Sequence, residues 1–145
     1  MFLGQYEHTM DEKGRLTIPA RFRESMEDGA YITRGFDQNL VVWTAPAFEL
    51  IYQRINQLSV TDPLSRQLRR LIFSHADRLE VDRVGRILIP LFLRETIQLG
   101  NSVMVVGAGE TFEIWSVEHW AEQEAQLRDT ETNARQFAAL DLPIH

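Results

Sequence analysis

The sequence comprises 145 residues, 44% hydrophobic and 25% charged, with no cysteine and a formal net charge of −6. That composition supports one compact domain or two small ones around a buried core, and it excludes a disulfide framework or a thiolate metal site. No apolar run reaches the ~18 residues of a membrane span, and Met1-Phe2-Leu3-Gly4 lacks a basic, long-apolar leader, so the chain is expected to stay in the cytoplasm.

Residues 5–10 lead into a tight turn at Asp11-Glu12-Lys13-Gly14-Arg15, and Leu16-Thr17-Ile18 reads as the return strand of a hairpin, with side chains alternating between two faces. Pro19 stops that ladder and suits the first turn of a helix in which Phe22 and Met26 fall four apart, before Asp28-Gly29 closes it. Residues 30–34 and 40–43 read as strands around Gly35-Phe36-Asp37-Gln38-Asn39. From Pro46 a helical period runs through Phe48, Leu50, Ile51, Ile55 and Leu58. Asp62-Pro63 starts a helix joining the two halves of the chain. Its apolar stripe is Leu64, Leu68, Leu71 and Ile72, and Arg66, Arg69 and Arg70 lie along the other side, simplest read as a solvated face.

The same order then returns: residues 79–81, a turn at Asp82-Arg83-Val84-Gly85-Arg86, residues 87–89, Pro90, a helix with Leu93 and Ile97, and strands over 103–106 and 112–115 around Gly107-Ala108-Gly109. Ser116 is placed to cap the next helix, whose polar side carries Glu118, Glu122 and Glu124. From about Thr130 a short last helix is expected, with Pro143-Ile144-His145 as a loose end.

This return is an internal repeat. At an offset of 71 positions Asp11, Gly14, Arg15, Leu16, Ile18 and Pro19 meet Asp82, Gly85, Arg86, Ile87, Ile89 and Pro90, and the register continues through Arg23/Arg94, Glu24/Glu95 and Gly29/Gly100. One inserted residue makes the offset 72, pairing Gly35 with Gly107, Trp43 with Trp115 and Phe48 with Trp120. A half of about 70 residues is too small to bury its own core comfortably, so residues 1–60 and 75–128 are expected to adopt one fold twice and to pack together. An exposed Asp–Arg bridge across a turn is worth only ~0–1 kcal/mol. Duplication is what marks the tips, because two arginine-bearing turns on like supports suit a repeating polyanion.

The negative net charge does not exclude such a partner. Residues 110–145 hold eight acids against Arg128 and Arg135, and the other 109 residues carry 13 charges of each sign. The acidic C-terminal region is therefore expected to face away from phosphates. His8, His75, His119 and His145 lack metal-ligand spacing, and no nucleophile elbow, P-loop or dinucleotide fingerprint sits at a strand-to-helix junction, so neither metal, cofactor nor enzymatic activity is expected. Trp43, Trp115, Phe48 and Trp120 read as core rather than as stacking platforms.

Met1-Phe2-Leu3-Gly4, Asp11-x-Lys13-Gly14-Arg15-Leu16-x-Ile18-Pro19-Ala20-x-Phe22-Arg23 and Asp82-x-x-Gly85-Arg86-Ile87-x-Ile89-Pro90 resemble the MraZ family of bacterial regulators, over almost the whole chain. The resemblance implies an α+β fold of two tandem SpoVT/AbrB-type repeats, swapped-hairpin β-barrel halves with flanking helices and pseudo-twofold symmetry. The corresponding divisions are residues 5–60, a linking helix over 61–75, residues 76–128 and a tail over 129–145. It implies a transcriptional regulator that binds short direct repeats of double-stranded DNA in the promoter of the cell-division and cell-wall gene cluster, assembles into homo-oligomeric rings and works at the nucleoid.

The DNA-facing positions implied are Asp11, Lys13, Gly14 and Arg15 in the first copy and Asp82, Gly85 and Arg86 in the second. Arg15 and Arg86 would reach a phosphate or a guanine edge and Lys13 a phosphate, with Asp11 and Asp82 orienting the arginines. The second copy departs at Val84 for Lys13, Arg83 for Glu12 and Phe92 for Arg21. The competing expectation is a ring-forming interaction protein that does not bind DNA.

Overall fold

The computed structural model describes residues 1–142. The expectation for Pro143-Ile144-His145 falls outside them. The first repeat supplies β1 (Gln5–Thr9), β2 (Arg15–Thr17), α1 (Ala20–Arg23), β3 (Ala30–Arg34), β4 (Leu40–Thr44) and α2 (Ala45–Asn56). After α3 (Pro63–Ser74), the second supplies β5 (Asp77–Leu79), β6 (Arg86–Leu88), α4 (Leu91–Thr96), β7 (Ser102–Gly107), β8 (Thr111–Ser116) and α5 (Val117–Leu127), and α6 (Thr130–Phe137) follows.

Six strands form an antiparallel sheet in the order β1-β7-β8-β4-β3-β5, and β2 pairs with β6 in a separate ribbon. The order is a palindrome of the repeat. Each hairpin, β3–β4 and β7–β8, meets its counterpart at the centre through β4 and β8, and each outer edge is the first strand of the other repeat. The expected local hairpin through Asp11 is therefore corrected: β1 pairs with β7 and β2 with β6, and no ladder joins β1 to β2, whose ends meet in the isolated bridge Met10↔Leu16 above the turn. Swapping lets each short strand bury against a foreign hairpin, so two undersized halves share one core. Leu16, Ile18 and Phe22 of the first half and Ile87, Ile89 and Leu93 of the second lie in a single cluster, each at most 1% exposed.

Strand alternation sorts the sheet into two faces. Ile32, Val42, Val105 and Ile114 point to the ribbon and complete the shared core. Tyr31 and Trp43 point the other way, under α2 and α3, and Met104 and Trp115 under α5. Tyr31 stacks on Phe48 at 4.6 Å, and Trp115 meets Trp120 edge-on at 5.6 Å. The helices start where their caps demand: Thr44 accepts from the Ala47 amide at 3.3 Å, Asp62 from Leu64 at 2.9 Å and Ser116 from His119 at 3.1 Å.

Four local expectations need correction. The ladder matches Arg34, not Gly35, to Gly107, because Arg34 opposes Leu40 as Gly107 opposes Phe112, and the first hairpin loop is one residue longer. β5 ends at Leu79 rather than spanning 79–81. Leu50 and Leu64, placed on apolar stripes by their spacing, are 57% and 71% exposed, since α2 and α3 turn narrower faces to the sheet. Arg69 is not a solvated charge: its Nη2 donates to the carbonyls of Ile55, Asn56 and Leu58 at 3.3, 3.4 and 2.7 Å and so closes the end of α2.

Candidate nucleic-acid interface

The two turns are built alike, around an aspartate that accepts from its own loop. Asp11 Oδ1 accepts from the amides of Lys13 and Arg15 at 3.0 and 2.8 Å, and its Oδ2 takes the Arg15 Nε at 2.6 Å. Asp82 does the same with Val84, Arg86 and the Arg86 Nε at 3.0, 2.9 and 2.9 Å. The turn closes through Gly14 N–H to Asp11 carbonyl and Gly85 N–H to Asp82 carbonyl, each 3.0 Å. Gly14 and Gly85 sit at φ +89° and +84°, where a side chain is strained.

Each tip is held by the opposite repeat. The Gly14 carbonyl accepts from the Ile89 amide and the Gly85 carbonyl from Ile18, both at 2.9 Å. Arg94 donates to the carbonyls of Ile89 and Lys13 at 3.0 and 3.4 Å, lying so close beneath Gly14 that an added Cβ would come within 2.7 Å of its guanidinium carbon and 2.8 Å of the Ile89 oxygen. Arg23 occupies the equivalent place under Gly85, with Nη1 2.5 Å from such a Cβ. Sequence reasoning paired Arg23 with Arg94 but assigned them nothing; their shared register was the available signal. Gly14→Ala is expected to cost about 1–3 kcal/mol, through φ strain plus displacement of Arg94, read as a lower Tm with a local loss of amide protection at Ile89.

Hydrogen bonds from the loop set the charge state of the two aspartates. The Arg15 backbone N–H, followed by its guanidinium, holds the Asp11 carboxyl below its ordinary value of 3.8, and Arg86 does the same for Asp82. A carboxylate whose folded pKa lies below the unfolded one stabilises fully above the unfolded value, and that contribution fades as pH falls through the folded value. The tips should therefore hold from neutral pH down to about pH 4 and loosen below it. Asp11→Asn with Asp82→Asn should remove that part of the acid sensitivity, measured by amide exchange of the tips against pH.

The ribbon brings both tips onto one surface. In β2 and β6, Leu16 and Ile87 oppose each other and face the core at 0% and 1% exposure, so their neighbours Arg15, Thr17, Arg86 and Leu88 all face outward. Arg15 opposes Leu88 and Arg86 opposes Thr17, which makes the two arginines diagonal neighbours, about 7–8 Å apart at ordinary strand spacing. Their side chains are 38% and 33% exposed, and beyond the Nε contacts their guanidinium groups make no hydrogen bond among the described residues. Thr17 and Leu88 belong to this face and were missed, although parity with the arginines marks them. Lys13, Arg83 and Val84 stand exposed at the tips. Acidic α5 packs on the far side of the sheet, against Met104 and Trp115.

Among the described residues no group of three or more His, Asp or Glu side chains is arranged to hold a metal ion, and no helix is long and apolar enough to cross a membrane. The chain matches the family described as "MraZ protein, putative antitoxin-like" twice, over residues 1–71 and 72–141. Among its relatives, proteins named "Transcriptional regulator MraZ" are 49% identical in Herpetosiphon aurantiacus over 83% of this chain and 84% of that one, and 44% identical in Roseiflexus castenholzii over 95% and 94%. A third, from Thermomicrobium roseum, is 43% identical over 88% and 89%. With the family matched once over each half of the chain and these relatives aligned over most of it, the chain belongs to the MraZ family of transcriptional regulators.

Proposed function

We propose that this protein is a sequence-specific DNA-binding transcriptional regulator that reads double-stranded DNA with the outer face of the β2–β6 ribbon. The observation that carries this reading is the common outward face of Arg15 and Arg86 on one two-stranded ribbon. The major groove admits such a ribbon, and the two arginines stand on diagonal strand positions about 7–8 Å apart, roughly two base steps at ~3.4 Å each. Asp11 and Asp82 orient each guanidinium through Nε, leaving its terminal nitrogens for a guanine edge or a phosphate. Lys13 takes a phosphate, and Gly14 and Gly85 bring the tip backbone close. The second tip works with Arg83 in place of a lysine, since Val84 stands where Lys13 does.

The aspartates also cancel part of the positive charge, so one ribbon binds weakly and the phosphate term stays small. Assembly of chains into a ring offsets that, because repeated ribbons meeting repeated sites gain avidity without new contacts. The target is the promoter of the cell-division and cell-wall gene cluster, with its short direct repeats, and the protein works in the cytoplasm at the nucleoid. The working division is residues 5–60 and 76–128 as the two repeats, 61–75 as the link and 129–145 as the tail. Footprinting on the DNA upstream of the chain's own gene, with unrelated DNA as competitor, should protect evenly spaced short repeats. No protection under conditions where the protein assembles would move the DNA-independent interaction protein to first place.

A further inference from the structure

α6 stands in the second repeat where α3 stands in the first. Each follows the repeat's sheet-covering helix and opens on an aspartate cap, Asp62 for α3 and Asp129 for α6, the latter accepting from the Thr132 amide at 3.1 Å. α3 uses the position to cover β3: it buries Ile72 and Ser65, and the Ile72 carbonyl accepts from the Thr33 hydroxyl at 2.5 Å. α6 and the 3-10 turn after it, Ala138–Leu140, bury no residue, and Phe137, Leu140 and Leu142 are 51%, 73% and 70% exposed. In its half of the sheet no apolar seat is left for it: the outward positions Met104 and Val106 of β7 are packed with Trp115, Val117 and Trp120, and those of the neighbouring edge strand β1 are Gln5, Glu7 and Thr9, all exposed. Among the described residues the pseudo-twofold symmetry leaves this apolar segment uncovered.

The first repeat carries a surface of matching chemistry. An open groove of about 690 Å³ runs between α3, the end of α2 and the β3–β4 turn, lined by Phe36, Leu58, Leu64, Leu68, Leu71 and Arg70. Phe36 and Leu64 are 79% and 71% exposed there. The charges are complementary: with Arg69 turned to the end of α2, α3 and its cap present Arg66 and Arg70 against Asp62, while residues 130–142 bear Glu131 and Asp141 against Arg135. Two different surfaces that fit each other make a head-to-tail contact, which builds a ring when its rotation closes.

We propose that residues 130–142 of one chain dock into the α3 groove of the next copy, with Phe137 and Leu140 in the apolar channel and the acidic flanks against the arginines. The proposal rests on the oligomer reading above and supplies its contact. The absence of natural cysteine makes the test clean. In the full chain, Leu64→Cys with Leu140→Cys should give, on oxidation, a ladder of covalent multimers on a non-reducing gel. Phe137→Glu with Leu140→Glu, and separately Leu64→Glu, should convert the wild-type assembly to monomer by light scattering. Their circular dichroism should be unchanged, since all three side chains are exposed in the single chain. A wild type that assembles, with no ladder and with glutamate variants of unchanged mass, overturns this docking and leaves the oligomer reading standing. A wild type that is monomeric at every concentration overturns both. A disulfide closed within one chain overturns the second copy as occupant.

Discussion

Arg15→Ala and Arg86→Ala should each weaken binding to the promoter repeats by about 1–3 kcal/mol per engaged ribbon, on the order of 10- to 100-fold. Because both arginines lie on one ribbon face, the two losses should resemble each other in size rather than split into a strong tip and a weak one. The manner of loss identifies the contact. A missing phosphate contact lowers affinity for all sequences alike and reduces the salt slope by roughly 1, whereas a missing bidentate guanine contact relaxes specificity at one base. Lys13→Ala should follow the first pattern, as a point charge without a fork. Avidity multiplies a per-ribbon loss in an assembled ring, so the comparison needs variants of equal mass and matched circular dichroism. Folded, assembled variants with unchanged affinity and unchanged salt dependence would mean that the ribbon is not the DNA surface.

Leu16→Ala should cost about 2–5 kcal/mol, a large share of the ~5–15 kcal/mol that typically holds a domain together. Leu16 is fully buried opposite Ile87 at the centre of the ribbon, where the neighbouring core offers little freedom to collapse around a lost isobutyl group. Thermal unfolding should shift down on the order of 10 °C. The interleaved topology makes a sharper claim than the magnitude. Gly14 and Gly85 are each bonded to the other repeat's strand, so amide protection at Ile18 and Ile89 should fall together although only the first repeat is altered. Independent repeats would lose protection at Ile18 alone.

Much of the fold follows from local chemistry that any sequence carries openly. Gly14 and Gly85 are needed because only glycine takes φ near +85° without strain, and Asp-x-x-Gly-Arg closes its own turn through neighbours at most four residues away. The inward parity of Leu16, Ile18, Ile87 and Ile89 follows from strand alternation, and the Ser116 cap from a hydroxyl placed before a helical period. The duplication itself, and with it the family, rests on residue identity at fixed offsets.

What the chain could not announce was which strand pairs with which. A strand with one buried face is satisfied equally by its own hairpin or by a foreign one, since period 2 names the face and not the neighbour. The choice is made where burial is completed, and here only the swap encloses both undersized halves around one core. Tertiary structure alone therefore set Arg15 beside Arg86 on a single ribbon, slid Arg23 and Arg94 beneath the opposite glycines, and left Leu64 exposed on a stripe whose spacing promised burial. Each is a contact or an exposure between segments distant in sequence, and such relations are decided by the free energy of the whole packed core rather than by any window of residues.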